Sequence, residues 1–147
     1  MKWSELSEVS CPVARSLSIL GDRWTLLIIR NAFMHTHRFD DFQTQLGMTR
    51  HLLVERLNRL IEHKIIEKSL YQQLPERYEY KLTERGLALY PVILAFTSWG
   101  NEWMNENKQY PVVTYFHKSC SHETGLIMKC QCCGEVLTRA NTVPKLN

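Results

Sequence analysis

The sequence has no hydrophobic run long enough to cross a bilayer and no strong excess of charge of one sign. A membrane-spanning helix needs roughly 20 consecutive apolar residues, whereas runs such as Leu26 to Ile29 are far shorter. The first residues also lack the apolar stretch of a secretory signal peptide. These absences predict a cytoplasmic protein with no membrane partner. The formal net charge of +3 permits an acidic partner such as DNA but does not by itself indicate one.

The motifs of common enzyme classes are also absent. The sequence contains no glycine-rich phosphate loop, no nucleophile elbow and no paired-carboxylate arrangement. His35 and His37 fit a polar connecting segment better than a catalytic pair. We therefore predict a protein that is not an enzyme, and a small metal-dependent enzyme is the weaker alternative.

The sequence does contain a succession of helical patterns. Ser10-Cys11-Pro12 is typical of a helix start, because proline fits the first turn of a helix, and Gly21-Asp22 ends this first helix. A second helix is predicted from about Arg23 to Phe33, with an apolar stripe broad enough for burial on more than one side. A polar connection and a short helix that stops at Gly47 follow.

The middle of the chain predicts a helix-turn-helix followed by a hairpin. Thr49 is a good N-cap for a helix that runs to about His63, directly after the tight turn at Gly47-Met48. Two strands, 65–71 and 77–82, are predicted next, joined by the polar loop 72–76. A hairpin of this size after a helix-turn-helix is typical of a wing.

A long final helix is predicted to open at Thr83 with Glu84 and to run to about Glu106, with a kink at Pro91. Its apolar surface exceeds what a small domain needs to cover. A single copy would expose this surface as an apolar patch. We therefore expect a homodimer whose interface includes Leu94, Trp99 and the first helix.

These elements predict a mainly helical α+β fold, a winged helix-turn-helix with a long C-terminal dimerisation helix and a small cysteine-rich tail. Residues 1–110 would form the DNA-binding and dimerisation domain, and residues 111–147 the tail. The function predicted is sequence-specific binding of double-stranded DNA by a transcriptional regulator, most simply a repressor. Helix 49–63 would enter the major groove and hairpin 65–82 would act as the wing. A winged helix that binds only other proteins is the alternative.

Helical geometry selects the residues expected to contact DNA. If Leu53, Leu57 and Leu60 face the core, then His51 and Asn58 point away from it, and the first half of the helix offers donors to base edges. Basic and amide residues before the helix-turn-helix and in the hairpin would add contacts to the DNA backbone. The predicted DNA-binding residues are Arg38, Thr49, Arg50, His51, Val54, Asn58, Gln72, Gln73 and Arg77.

The tail carries four of the five cysteines, and an odd number of cysteines argues against a disulfide framework. His117 with Cys120 and Cys130 with Cys133 form two pairs with two residues between the members of each pair. This spacing suits a closed, structural zinc site with tetrahedral geometry. His122 is an alternative to His117, Cys132 is an alternative member of the second pair, and a metal-free set of thiols is the competing interpretation.

From about Cys11 to Glu102 the chain resembles the HxlR family of winged-helix regulators, which are relatives of the multiple-antibiotic-resistance regulators. The resemblance implies a DNA-binding homodimer that pairs through its N-terminal and long C-terminal helices. Arg50-His51 departs from the usual family pattern, so base specificity does not transfer. The resemblance is carried by Cys11-Pro12-Val13, by residues 20–28, by Arg38-Phe39, by residues 53–57, by residues 77–86 and by Trp99-Gly100.

The same resemblance implies a regulatory role for Cys11. Some members of the family use the cysteine of the Cys-Pro-Val start as a sensor of electrophiles or oxidants, and Cys11 matches that position. The competing interpretation is a small apolar side chain in the protein interior.

Overall fold

The computed structural model describes residues 3–106, 109–110 and 112–145. They divide into two compact units, one within residues 1–93 and one within residues 94–147, whereas the sequence places the start of the tail at residue 111. After a 3₁₀ helix at Trp3–Glu8, the elements are α1 Pro12–Leu20, α2 Thr25–Phe33, α3 Phe39–Leu46, α4 Arg50–Glu62, β1 Ile66–Gln73, β2 Glu76–Leu82, α5 Glu84–Leu87, α6 Tyr90–Trp103, β3 Tyr115–Phe116 and β4 Glu123–Thr124.

The first two helices are separated by a capped turn. α1 begins with Cys11 at its N-cap and Pro12 in its first turn, and it ends at Gly21, as the sequence predicts. α2 begins at Thr25, two residues after the predicted start at Arg23. The later start has a local cause, because the carboxylate of Asp22 accepts hydrogen bonds from the backbone N–H groups of Trp24 (2.9 Å) and Thr25 (3.1 Å).

The helix-turn-helix consists of α3 and α4. α3 ends at Gly47, whose φ of 62° lies in the left-handed region that glycine adopts without strain. The Thr49 hydroxyl then accepts a hydrogen bond from the backbone N–H of Leu52 at 3.4 Å, which caps α4 as predicted.

The hairpin is longer and its turn is tighter than the sequence predicts. β1 and β2 pair antiparallel from Ile66 opposite Leu82 to Gln73 opposite Glu76. Gln72 and Gln73 therefore lie in a strand, and only Leu74 and Pro75 remain between the strands. The register shifts between Leu70 and Gln72, so Tyr71 has no residue opposite it.

The predicted single helix from Thr83 to Glu106 is two helices, α5 and α6, and the second ends at Trp103. Thr83 caps α5, because its hydroxyl accepts a hydrogen bond from the N–H of Gly86 at 3.2 Å. The break precedes Pro91, whose ring would collide with the carbonyl group four residues earlier in a continuous helix. The proline therefore divides the helix and does not merely bend it.

The hydrophobic core of the first unit lies between α2, α3, α4 and the base of the hairpin. Its fully buried side chains come from all four of these elements, so the hairpin is fixed against the helix-turn-helix. The largest of them are Phe42, Ile28, Ile29, Leu53, Leu57, Leu60 and Ile66. The predicted class, a mainly helical α+β fold of the winged helix-turn-helix type, is confirmed.

The second unit contains most of α6 and the segment after it. β3 and β4 form a two-residue antiparallel pair, and a second, shorter pairing joins Lys129 to Val136. The tyrosine hydroxyl of Tyr115 lies 3.3 Å from the hydroxyl of Thr97 on α6. No helix among the described residues is long and apolar enough to span a bilayer.

Candidate nucleic-acid interface

A concave cavity with a volume of about 610 Å³ lies between one face of α4 and the β1–β2 hairpin. We call it the groove. It brings together five of the predicted DNA-binding residues, Arg38, Arg50, Val54, Asn58 and Arg77. The other residues of the groove are Phe39, Asp40, Asp41, Leu57, Lys68, Tyr71, Glu76, Tyr78 and Tyr80.

The exposed side of α4 supplies one wall of the groove. Leu53 and Leu57 are buried, whereas Arg50, Val54 and Asn58 are exposed on the face of the helix that lines the groove. The Arg50 guanidinium lies 4.8 Å from the centre of the Phe39 ring, so the arginine rests on an aromatic face. This contact restrains the side chain while its N–H donors remain available.

The hairpin supplies the opposite wall, and its tyrosine rings make cation–π contacts with Arg38 and Lys68. The Arg38 guanidinium lies 5.0 Å from the centre of the Tyr71 ring, and Lys68 Nζ lies 3.9 Å from the centre of the Tyr78 ring. The bulge at Tyr71 makes this possible, because it shifts the alternation of the strand so that Lys68 and Tyr71 both line the groove. A regular strand would place residues three apart on opposite faces.

Three groove residues of the hairpin, Lys68, Tyr71 and Tyr78, were not identified from the sequence. Lys68 is a cation, and the two tyrosine rings contact Lys68 and Arg38. Their residue types are evident in the sequence. Which face of the hairpin they occupy depends on the bulge, and the alternation of a regular strand does not predict a bulge. Only the mixture of basic and aromatic residues on the two strands could have indicated them.

Three carboxylates, Asp40, Asp41 and Glu76, share the groove with its four cationic side chains. Asp40 and Asp41 lie in the first turn of α3, where the helix dipole favours negative charge. Glu76 Oε2 accepts a hydrogen bond from the Tyr78 hydroxyl at 2.9 Å, and this bond raises the pKa of Tyr78. The positive character of the groove therefore depends on a few placed side chains and not on a broad excess of charge.

The remaining predicted DNA-binding residues lie outside the groove. Thr49 serves as the cap of α4, and His51 is exposed on the helix without lining the groove. Gln72 and Gln73 lie at the end of β1, where the side-chain amide of Gln72 donates to the carbonyl of Leu74 at 3.1 Å.

Two other arginines of α4, Arg56 and Arg59, have partners within the protein. Arg56 Nε lies 3.2 Å from Asp22 Oδ1, and Arg56 Nη1 lies 2.9 Å from Glu55 Oε1. The Arg56 Nε–H does not point at a carboxylate oxygen, so the contact with Asp22 is an ion pair and not an aligned hydrogen bond. Arg59 Nη2 donates to the backbone carbonyl of Ser18 in α1. We call Asp22, Arg56, Arg59 and Ser18 the clamp, because they fasten α4 to α1 and to the turn after it.

Asp22 is the ionised centre of the clamp. Partial burial opposes its ionisation, but hydrogen bonds from the Thr25 side chain and from the N–H groups of Trp24 and Thr25, together with the charge of Arg56, outweigh it. The pKa of Asp22 is consequently lowered, and the carboxylate is charged at neutral pH.

Two helices expose large apolar side chains. On α1 no residue is buried, and Val13 and Leu17 are 66% and 45% exposed. On α6 the exposed apolar residues include Phe96, Trp99 and Trp103, whereas Leu94 is half-buried. Cys11, at the start of α1, is exposed.

The predicted metal ligands lie in two separate turns of the second unit. His117 Nδ1 is 3.3 Å from Cys120 Sγ in the first turn. In the second turn the N–H groups of Cys133 and Cys132 donate to the sulfur of Cys130 and lower the pKa of that thiol. Among the described residues, no three His, Cys, Asp or Glu side chains are grouped closely enough to hold one ion.

The chain is similar to several known proteins. The family model for the HxlR-like helix-turn-helix matches residues 19–108. An uncharacterised HTH-type transcriptional regulator of Mycobacterium bovis, Mb3122, is 36% identical over 133 residues, which are 90% of this chain and 84% of the relative. The crystal structure of PA1607, a candidate transcription factor, matches with a TM-score of 0.86 and 30% identity over 98% of this chain and 99% of that chain. The redox regulator HypR in its reduced form matches with a TM-score of 0.60 and 27% identity over 68% of this chain and all of that chain.

Proposed function

Because the chain belongs to the HxlR-like helix-turn-helix family, we propose that it is a homodimeric repressor that places α4 in the major groove of DNA and the β1–β2 hairpin beside it as a wing. Family membership makes the chain a transcriptional regulator and not an enzyme, and a helix-turn-helix implies DNA binding. The dimer, the direction of regulation and the roles of single residues are parts of the proposal.

The observation that carries the proposal is the groove itself. α4 leaves Arg50, Val54 and Asn58 exposed beside Arg38 and Arg77, whereas Arg56 and Arg59 of the same helix are held in the clamp. Arginine donates to guanine, asparagine pairs with adenine and a small apolar side chain contacts the thymine methyl group. The face of the helix that lines the groove thus carries the side chains that base edges require, and the clamped arginines fix the position of the helix.

Exposed apolar residues on α1 and α6 support the homodimer. Large apolar side chains in water mark interaction surfaces when they cluster on one element, and a helix-turn-helix protein commonly reads a two-fold operator as a dimer. In the proposed homodimer, a second copy of the chain covers these apolar residues.

Electrophoretic retardation of promoter DNA at several salt concentrations tests DNA binding. Each phosphate that the protein neutralises releases counterions, so affinity should fall steeply as salt is raised. A specific site should also resist competition by scrambled DNA. If neither DNA is retarded at low salt, the winged helix is a protein-interaction module and the proposal fails.

We further propose that Cys11 senses electrophiles. Its thiol is exposed at the start of α1, and Ser18 of the same helix accepts a hydrogen bond from Arg59 of α4. A change at α1 therefore has a physical route to the recognition helix. The similarity to the redox regulator HypR is consistent with this role. In the sensing step the Cys11 sulfur adds to the β-carbon of an activated alkene, the carbon–carbon π bond opens, and the thiol proton passes to the α-carbon of the adduct.

Treatment with N-ethylmaleimide tests the role of Cys11. Operator affinity of the zinc-saturated wild type should fall by about 5- to 150-fold, the usual range of coupling between sites, and the Cys11→Ser variant should keep its affinity. The same loss in Cys11→Ser would assign sensing to another thiol, and no loss in the wild type would remove it.

A further inference from the structure

Two turns of the second unit share one backbone pattern. In the first, His117 N–H donates to the carbonyl of His122 at 2.9 Å, and Ser121 N–H donates to the carbonyl of His117 at 2.7 Å. In the second, Cys130 N–H donates to the carbonyl of Glu135 at 2.8 Å, and Gly134 N–H donates to the carbonyl of Cys130 at 2.9 Å. The two patterns are equivalent at a constant offset along the chain.

The match extends to backbone conformation and to the flanking residues. Ser121 and Gly134, the fifth residue of each turn, have φ values of 58° and 75° in the left-handed region. Immediately outside the turns, Phe116 pairs with Glu123 and Lys129 pairs with Val136. We call these turns the two knuckles, 117–122 and 130–135. A non-glycine residue rarely adopts this conformation, and Ser121 adopts it at the position that glycine holds in the second knuckle.

Each knuckle presents a soft ligand pair at its first and fourth positions. His117 Nδ1 and Cys120 Sγ are 3.3 Å apart. A nitrogen and a sulfur bound to the same tetrahedral zinc ion are about 3.6 Å apart, which is close to this distance. In the second knuckle the side chains of Cys130 and Cys133 are hydrogen-bonded to each other. The backbone N–H groups of Cys133 and Cys132 also donate to the Cys130 sulfur, so the turn folds around this side chain.

The geometry of the knuckles also favours the four proposed ligands over the alternatives His122 and Cys132. His122 Nδ1 lies 2.7 Å from the carbonyl oxygen of Cys120, so this ring nitrogen donates to the backbone. Cys132 occupies the third position of its knuckle, where its backbone N–H donates to Cys130. The position equivalent to Cys132 in the first knuckle is Ser119, which is not a metal ligand of this class.

The described part of the tail lacks the buried apolar residues that would stabilise its fold, so a cross-link would stabilise it. Among its described residues, 112–145, none is fully buried. A segment without an apolar core is ordered by metal binding in many small domains, because the binding free energy becomes folding free energy.

We propose that the two knuckles of one chain close on a single thiolate-preferring divalent ion, zinc above all, held by His117, Cys120, Cys130 and Cys133. This site is structural, because four protein ligands leave no open position. The ion draws together two half-sites that are each already shaped. Binding releases the protons of the three thiols, and the histidine binds as a neutral imidazole.

A titration of the reduced, full-length protein with Co²⁺ tests the site. Tetrahedral coordination by thiolates should give visible d–d bands and sulfur-to-metal charge transfer that saturate at one Co²⁺ per chain, and added Zn²⁺ should abolish them. Light scattering should show no change in molar mass on metal addition. Saturation at half an ion per chain, or growth in mass with metal, overturns a site within one chain.

Matched serine variants test the ligand set. Cys130→Ser and Cys133→Ser should weaken metal binding by more than the roughly 10- to 100-fold that loss of an outer-shell partner costs, whereas Cys132→Ser and Cys11→Ser should bind as the wild type does. Equal losses in Cys132→Ser and Cys133→Ser overturn the assignment. Because stoichiometry is measured on the wild type, a misfolded variant cannot rescue the proposal, and a wild type that binds no Co²⁺ or Zn²⁺ refutes it.

Discussion

Arg50 and Arg77 reach the groove from different elements, so their loss should have different consequences. Arg50 projects from the first turn of α4, where side chains meet base edges. We expect Arg50→Ala to weaken binding to the specific site by about 1–3 kcal/mol and to relax base preference. Arg77 lies on β2, and Arg77→Ala should lower affinity for all DNA sequences alike. Fluorescence anisotropy with specific and scrambled duplexes measures both effects.

Arg139→Ala is the matched control, because this exposed arginine of the tail lies outside the groove. It should bind both duplexes as the wild type does. If Arg50→Ala and Arg77→Ala lowered affinity by the same amount on both duplexes, the distinction between base and backbone contacts would be wrong.

Gly86 occupies a position where the chain approaches itself closely. A Cβ atom at this residue would lie 2.2 Å from the carbonyl oxygen of Ile65, which is part of the backbone and cannot move aside cheaply. We expect Gly86→Ala to lower the free energy of unfolding by about 1–3 kcal/mol. Gly125→Ala, which meets nothing within 4 Å, should change it by less than about 0.5 kcal/mol. Urea denaturation compares the two, and equal effects would contradict the close approach.

At the scale of elements, the clamp should make stability depend on pH through Asp22. Because the folded-state pKa of Asp22 is lowered, its contribution is fully present above the ordinary value of 3.8 and is lost as pH falls through the lowered value. Asp22→Asn should therefore cost about 0.5–1.5 kcal/mol at neutral pH, because the amide keeps one acceptor oxygen but loses the second acceptor for the Thr25 hydroxyl and the charge that faces Arg56. This difference from the wild type should shrink in strong acid.

Denaturation of Asp22→Asn and the wild type across pH checks this expectation. Glu62→Gln provides a control with the same change in charge at an exposed residue of α4, and its effect should be small at every pH. A cost for Asp22→Asn that persisted undiminished below the folded-state pKa would show that charge is not its cause.

The elements with strong local signals were predictable from sequence, and those set by tertiary contacts were not. Gly47 and Thr49 fixed the turn and the cap of the helix-turn-helix, because left-handed backbone and hydroxyl caps are local properties. The division of the last helix at Pro91 was underestimated as a kink. The hairpin was predicted two residues too short on β1, because glutamines resemble loop residues until their pairing partners are known.

The groove was predictable only in part for the same reason. The periodicity of α4 identified its exposed face, and Arg50, Val54 and Asn58 line the groove. Periodicity could not show that Arg56 is committed to Asp22, which lies far from it in sequence. It also could not show that a bulge brings Tyr71 beneath Arg38.

At the scale of the whole molecule, the exposed apolar residues of α1 and α6 should be covered by a second copy. Sedimentation equilibrium at micromolar concentration should give the mass of a dimer. Leu17→Glu and Trp99→Glu should each weaken dimerisation by about 2 kcal/mol or more, as for central interface residues. Leu74→Glu is the control, because this residue is 91% exposed at the hairpin turn. A wild-type monomer at this concentration would refute the dimer.

The central claim is that a dimer reads DNA through two copies of α4, and capture of genomic DNA fragments by the purified protein tests it most directly. Sequencing of the captured fragments should reveal one recurrent palindrome. The centres of its half-sites should be about 10 base pairs apart, or a multiple of this, because two recognition helices enter successive major grooves on one face of the duplex. The Arg50→Ala protein should lose enrichment of that palindrome. Captured DNA without a shared motif, or with a single unpaired half-site, would contradict the account.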